Sequence, residues 1–306
     1  MRYEIKIENS SEPSGTIDLQ RLALLAESML KISEGALQIR IRGISLTKGR
    51  KRSSLKEALR ISLSKIKQGS TVLCLESEKF KHTLGPFQMD MFRQEAQRDL
   101  QEQTPVSLFI NTFQHVFEAG KGYKFLDIPL LKELKKFNKA FLNDQEVMVF
   151  SNQNSIPQLK IKKDDFNKIT ELEEELPDPT SIVLNGTVEE LKYSKLKVRI
   201  QTAEGIVDGF LSGDLSSQDI AACWGKEVNL PGTLHYKPGG KYIVEIKSVF
   251  EADSMDDYFS EKPKSETAEQ QIQRQITEKG GNRLSKIVGK WPGDEDYEEL
   301  VRMLTK

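Results

Sequence analysis

Tyr3, Ile5 and Ile7 alternate with charged residues over positions 2–8, the pattern of a half-buried strand. A turn-rich stretch leads to Asp18, a good N-cap. Leu19, Leu22, Leu25, Met29 and Ile32 then recur at helical spacing, which predicts a helix to about Glu34. Leu37, Ile39 and Ile41 alternate against Gln38, Arg40 and Arg42, so a second strand is expected over 36–44. Leu59, Ile61 and Leu63 alternate, a turn falls at Gln68-Gly69, and apolar positions resume over 72–75, which predicts a hairpin. Together these elements predict an α+β domain over residues 1–80.

Residues 81–178 follow mainly the helical period. Helices are expected over 87–101, from the Thr104-Pro105 cap through Phe109, Phe113 and Phe117, over 128–142 and over 164–176. Short strands at 147–150 and 158–161 interrupt them. The aromatics recur at helical spacing and are therefore core or interface positions. Pro177-Asp178-Pro179 ends the region and marks the clearest boundary in the chain. From 179 to 252 the period returns to two. Five strands are predicted, with one short helix over 216–224 between the third and fourth, the order of a small OB-like β-barrel. Gly186 inside the first strand predicts a bulge there.

The remainder is a polar spacer, 253–282, and an amphipathic tail, 283–306. Leu284, Ile287, Val288 and Trp291 form one apolar stripe, and Pro292-Gly293 breaks it. Asp294 caps a second piece, in which Tyr297, Leu300, Val301 and Leu304 repeat the spacing. An amphipathic end on a polar spacer suits a helix-in-groove ligand, with Trp291 as its aromatic anchor. The same stripe equally suits docking back onto its own body.

Composition adds compartment and partner classes. Charged residues make up 30% and apolar residues 37% of the chain, and no window approaches a membrane span, so no membrane association is expected. The start carries acids and lacks the apolar core of a signal peptide. Cys74 and Cys223 make no disulfide framework, which with the start points to a cytoplasmic protein. His82, His115 and His235 have no metal-ligand spacing, so neither metal nor cofactor is expected. Net charge is −1, yet residues 1–72 carry 14 Lys+Arg against 7 Asp+Glu, which leaves the rest acidic. Lys48, Arg50, Lys51 and Arg52 form a basic loop able to contact phosphates. The barrel itself is neutral, with 8 Lys+Arg and 8 Asp+Glu over 181–250, which favours a protein-packing role over a single-strand groove. Nucleophile elbows, metalloprotease pairs, phosphate loops and dinucleotide fingerprints are absent from the sequence, so a non-enzymatic protein is expected.

The N-terminal strand and long helix, the run SLSKIKQGSTVLCLES at 62–77, a barrel-like middle and the terminal GKWPGDEDYEELVRML together resemble a bacterial group. These are antitoxin-like proteins of the kind encoded beside PIN-domain ribonuclease toxins. The resemblance implies inhibition by occlusion. Trp291 would fill an apolar groove beside the partner nuclease's carboxylates, and Arg283, Lys286 or Lys290 would pair with those carboxylates. The basic head would then contact DNA or drive homo-oligomerisation. The alternative is an OB-fold nucleic-acid-binding accessory protein, in which the barrel and the basic loop act and the tail is an assembly contact.

Overall fold

β1 (Arg2–Glu8) lies at the centre of an antiparallel sheet whose other strands come from far along the chain. The computed structural model of the protein describes residues 1–45, 53–67, 71–84, 100–118, 122–152, 158–192, 197–212, 215, 217–252 and 266–278. The chain divides into two units, Met1–Ser265 and Glu266–Lys306. In the first, β2 (Ile61–Lys67), β3 (Thr71–Ser77), β4 (Val147–Asn152) and β5 (Leu159–Lys162) join β1 in the order β2-β3-β1-β4-β5. Tyr3 therefore pairs with Leu75 on one side and Asn152 on the other. The expected hairpin is present as the β2–β3 pair, with its turn outside the described residues. No sheet boundary falls at residue 80, because β4 and β5 complete the sheet that β1 begins.

Helices cover one face of this sheet. α1 (Leu19–Arg42) packs against α4 (Pro105–Phe117) and α5 (Ile128–Lys136), and α5 against α6 (Phe166–Glu174). Short helices α2 (Ser53–Ala58) and α3 (Phe80–Thr83) flank β2 and β3 in the chain. Phe109 of α4 is fully buried, with Phe113, Phe137 and Phe150 rings 5.0, 5.3 and 5.1 Å away. Those aromatics are core, as their helical spacing predicts. Thr104 caps α4 in a reciprocal pair with Ser107, and Pro105 opens the helix.

The strand expected over 36–44 is instead the end of α1, which runs to Arg42. Its cap at Asp18 is as predicted, with the carboxylate accepting from the Gln20 and Arg21 amides. Ala36, Leu37, Gln38 and Ile39 are all buried, so neighbours enclose this part of the helix on nearly every side. An enclosed helix loses the one-sided stripe, and a chance alternation then mimics a strand. Gly43 ends the helix at φ 94°, its amide donating to the Ile39 carbonyl.

The second half of the first unit is the predicted barrel. β6 (Thr180–Lys192), β7 (Lys197–Thr202), β8 (Gly205–Leu211), β9 (Glu227–Lys237) and β10 (Lys241–Ile246) pair in the order β10-β8-β7-β6-β9, and a β9–β10 pairing closes the ring. The β8–β10 pairing is parallel and the others are antiparallel. α7 (Ser217–Ala221) sits between the third and fourth strands, and β11 (Phe250–Glu251) adds to β9. The register shift in β6 lies between Val188 and Glu190, not at Gly186. Gly186 serves close approach instead, since a Cβ there would stand 2.4 Å from the Gln201 carbonyl oxygen.

In the second unit, α8 (Ala268–Glu278) occupies part of the stretch expected as spacer. Thr267 and Gln270 cap it reciprocally, and Ile272 is exposed. Cys74 and Cys223 are free thiols. Among the described residues no helix is long and apolar enough to cross a membrane.

Candidate functional site

The partner-binding residues expected in the tail, from Leu284 to Leu304 and including Lys290 and Trp291, lie outside the described residues. Lys48, Arg50, Lys51 and Arg52 do too. The point from which the basic stretch departs is described. Asp127, the cap of α5, accepts from the Ser45 amide at 2.7 Å, the Ser45 hydroxyl at 2.6 Å and the Leu130 amide at 3.1 Å. Ser45 is thereby pinned where the helical layer meets the barrel.

That meeting point is built by close packing. Phe210 and Ile243 face out of the barrel, and with Ile44 they form a small buried cluster of their own. Gly43 makes room for it: a Cβ there would stand 2.4 Å from Ile243 Cδ1. Pro238, Gly239 and Gly240 turn β9 into β10, the two glycines at φ 76° and 71°. Gly239 lies against the Tyr123 ring, in the 3-10 turn Tyr123–Phe125.

Cations converge on this junction. Lys237, the last residue of β9, is 8% exposed and its Nζ donates to the Lys124 carbonyl at 2.9 Å. Burial pushes its ammonium down to about 8; Asp127 and Asp208 oppose that shift, and Lys197 and Lys241 add to it. Arg40 stands 4.0 Å over the Phe125 ring and Lys124 Nζ 4.9 Å from the same ring. His115 stacks on Phe125 at 5.4 Å, with Arg40 Nη2 3.5 Å from its Nε2. Burial, then Arg40, then Lys124 lower the His115 imidazole to about 4, so it is neutral near pH 7. Gly122 is required beneath it, since a Cβ would meet the imidazole at 2.4 Å.

A concavity of about 640 Å³ lies at the β2–β3–β1 end of the sheet. Arg60, Glu57, Glu78 and His82 line it, with an Arg2–Glu76 pair at 3.1 Å. The Ser77 and Thr83 hydroxyls in its lining are buried without a hydrogen-bond partner. Its charges are mixed in sign. Among the described residues no group of three His, Cys, Asp or Glu side chains is placed to hold a metal ion.

Comparison of the chain with family models, curated proteins and solved structures gives no match. The junction was not among the residues singled out from sequence. Its one local signal is the Lys237–Lys241 frame around Pro238-Gly239-Gly240. Arg40, Lys124 and Lys197 join it through tertiary packing alone.

Proposed function

We propose that the protein is a non-enzymatic, antitoxin-like binder that inhibits a partner nuclease through its C-terminal segment. The observation that carries the reading is the division of the chain. Residues Glu266–Lys306 form a unit apart from Met1–Ser265, and that unit begins with a helix capped by its own Thr267 and Gln270. A binding segment separable from its body is what inhibition by occlusion needs. In this reading Trp291 is the apolar anchor, and Leu284, Ile287, Tyr297, Leu300, Val301 and Leu304 line the rest of the contact. Lys290 pairs with the partner's carboxylates.

The test is co-purification from the native host of the full chain, a chain ending at Gly281, and Trp291→Ala. A nuclease that co-purifies with the full chain alone, is silent in the complex and becomes active when freed is the expected result. Equal recovery of the same nuclease with the chain ending at Gly281 would overturn the assignment of the contact.

A further inference from the structure

We infer that the concavity at the β2–β3–β1 end of the first sheet binds a small basic zwitterion: an amino acid or dipeptide with a carboxylate and more than one amino or guanidino group. The inference is independent of the tail and of the barrel. Its first support is how the wall is built. α2 packs against α3, so residues from both flanks of the β2–β3 pair meet there. Leu55, Ala58 and Leu59 are buried and hold the end of α2. The Leu59 amide donates to the Leu55 carbonyl at 3.2 Å and the Arg60 amide to the Glu57 carbonyl at 3.1 Å, a turn that brings Glu57 and Arg60 to the wall together. The end of β3 supplies Ser77 and Glu78, and α3, anchored by the buried Phe80, supplies Thr83. The volume of about 640 Å³ is that of a small-molecule site.

The second support is bonding capacity left unused around that volume. Arg2 and Glu76 answer each other at 3.1 Å. The lysines nearest Glu78 in the chain, Lys79 and Lys81, both donate to Glu102 at 2.6 Å. Among the described residues the side chains of Glu57, Arg60 and Glu78 make no hydrogen bond or ion pair. Any one of them alone would be an ordinary solvated charge. Here they line one concavity with Ser77, which is 5% exposed, and Thr83, whose hydroxyls are buried without a partner. Buried hydroxyls are ordinarily bonded, and a hydroxyl hydrogen turns to suit the partner that arrives.

The chemistry of the wall selects the guest. No Phe, Tyr or Trp lines it, so a nucleobase has no ring to stack on. A simple anion on Arg60 would meet the carboxylate of Glu57 in the same turn, and a polyamine on the two glutamates would leave Arg60 unanswered. A guest carboxylate on the guanidinium of Arg60, with its amino groups on Glu57 and Glu78, satisfies all three. The unpaired acids outnumber the unpaired guanidinium, so the guest carries more amino groups than carboxylates.

The experiment is isothermal titration calorimetry of the full chain with L-lysine, L-arginine and lysyl-lysine, against L-glutamate, spermidine and inorganic phosphate, each up to about 10 mM. Saturable binding is expected for at least one basic zwitterion, about tenfold or more tighter than for the three comparison compounds. Arg60→Gln and Glu78→Gln should each weaken that binding about tenfold or more, since each removes a charge-assisted contact. Ser77→Ala should weaken it severalfold without lowering the thermal unfolding temperature of the ligand-free chain, because the hydroxyl has no partner to lose there. Thermal unfolding of each variant verifies that it is folded. Three results would each overturn the inference: no saturable heat from any basic zwitterion, a comparison compound bound as tightly as the best of them, or unchanged affinity in Arg60→Gln or Glu78→Gln.

Discussion

Two buried cations in this molecule have opposite surroundings. Arg21, in the helical layer, is enclosed by groups that answer every part of its guanidinium. Nε donates to the Ala140 carbonyl at 2.9 Å, Nη1 to Glu12 at 2.5 Å and to Ser10, and Nη2 to Glu146 at 2.7 Å. Lys237, at the barrel junction, donates to one carbonyl, with Asp127 and Asp208 favouring its charge and Lys197 and Lys241 opposing it. The first arrangement ties α1 to the 10–12 loop and the 140–146 turn and gives every guanidinium nitrogen an acceptor, while Glu146 Oε1 stays buried without a partner. In the second, burial outweighs the attraction of the two carboxylates and lowers the ammonium pKa. Burial alone therefore does not set how well a charge is held; the partners around it do.

Breaking the complete set has the largest expected effect. Arg21→Met leaves Glu146, which is fully buried, without its cation. A loss of about 3–5 kcal/mol in unfolding free energy is expected by urea titration. Adding Glu146→Leu should recover part of that loss, because the stranded charge is removed along with its partner. A double variant no better than Arg21→Met would show that packing, not charge, dominates the clamp.

Lys237→Met probes the incomplete set, and pH gives its sign. The Lys237 ammonium has its pKa lowered from 10.5 to about 8, so between those values the unfolded chain binds more protons than the folded one. The wild-type chain therefore gains stability as pH rises from 8 to 10.5, and the cost of burying the ammonium is fully present below 8. Met carries no such cost at any pH. The stability of Lys237→Met relative to wild type should accordingly fall by roughly 2–3 kcal/mol over that window. Parallel pH profiles would mean that the ammonium is not desolvated as its burial implies.

How much of this was legible in the sequence differs between the same regions. The barrel was legible almost strand by strand, because alternation, Ala203-Glu204-Gly205 and Pro238-Gly239-Gly240 are local signals. The first sheet was not, since β1 takes partners about Leu75 and Phe150, and no local pattern encodes that choice. The end of α1 misled because enclosure at Leu37 and Gln38 erases the amphipathic stripe. Neither buried cation announced itself. Arg21 lies one turn before Leu25 on the buried side of α1, where a lone cation reads as an interruption of the apolar stripe, and Lys237 ends a strand where a lysine is ordinarily solvated.

Gly43→Ala tests whether the junction depends on its packing as well as its charge. The substitution forces an L side chain into φ 94° and drives a methyl into Ile243. A loss of about 1–3 kcal/mol is expected in thermal unfolding. Gly43→Ala combined with Ile243→Val should be milder, because the colliding Cδ1 is gone while the backbone strain persists. Equal losses in the single and double variants would place the whole cost in the backbone.

The smallest expected effect comes from His115, and it sharpens the comparison from the acid side. Its pKa is lowered from 6.5 to about 4, by burial first and then by Arg40 and Lys124. Between those values the unfolded chain again binds more protons, so stability falls as pH drops from 6.5 towards 4. His115→Gln removes that titration and should give a shallower profile over the window, with little change above pH 7. The junction thus resists protonation at two separate groups, one acidic in range and one basic, and in both windows it gains stability as protons leave.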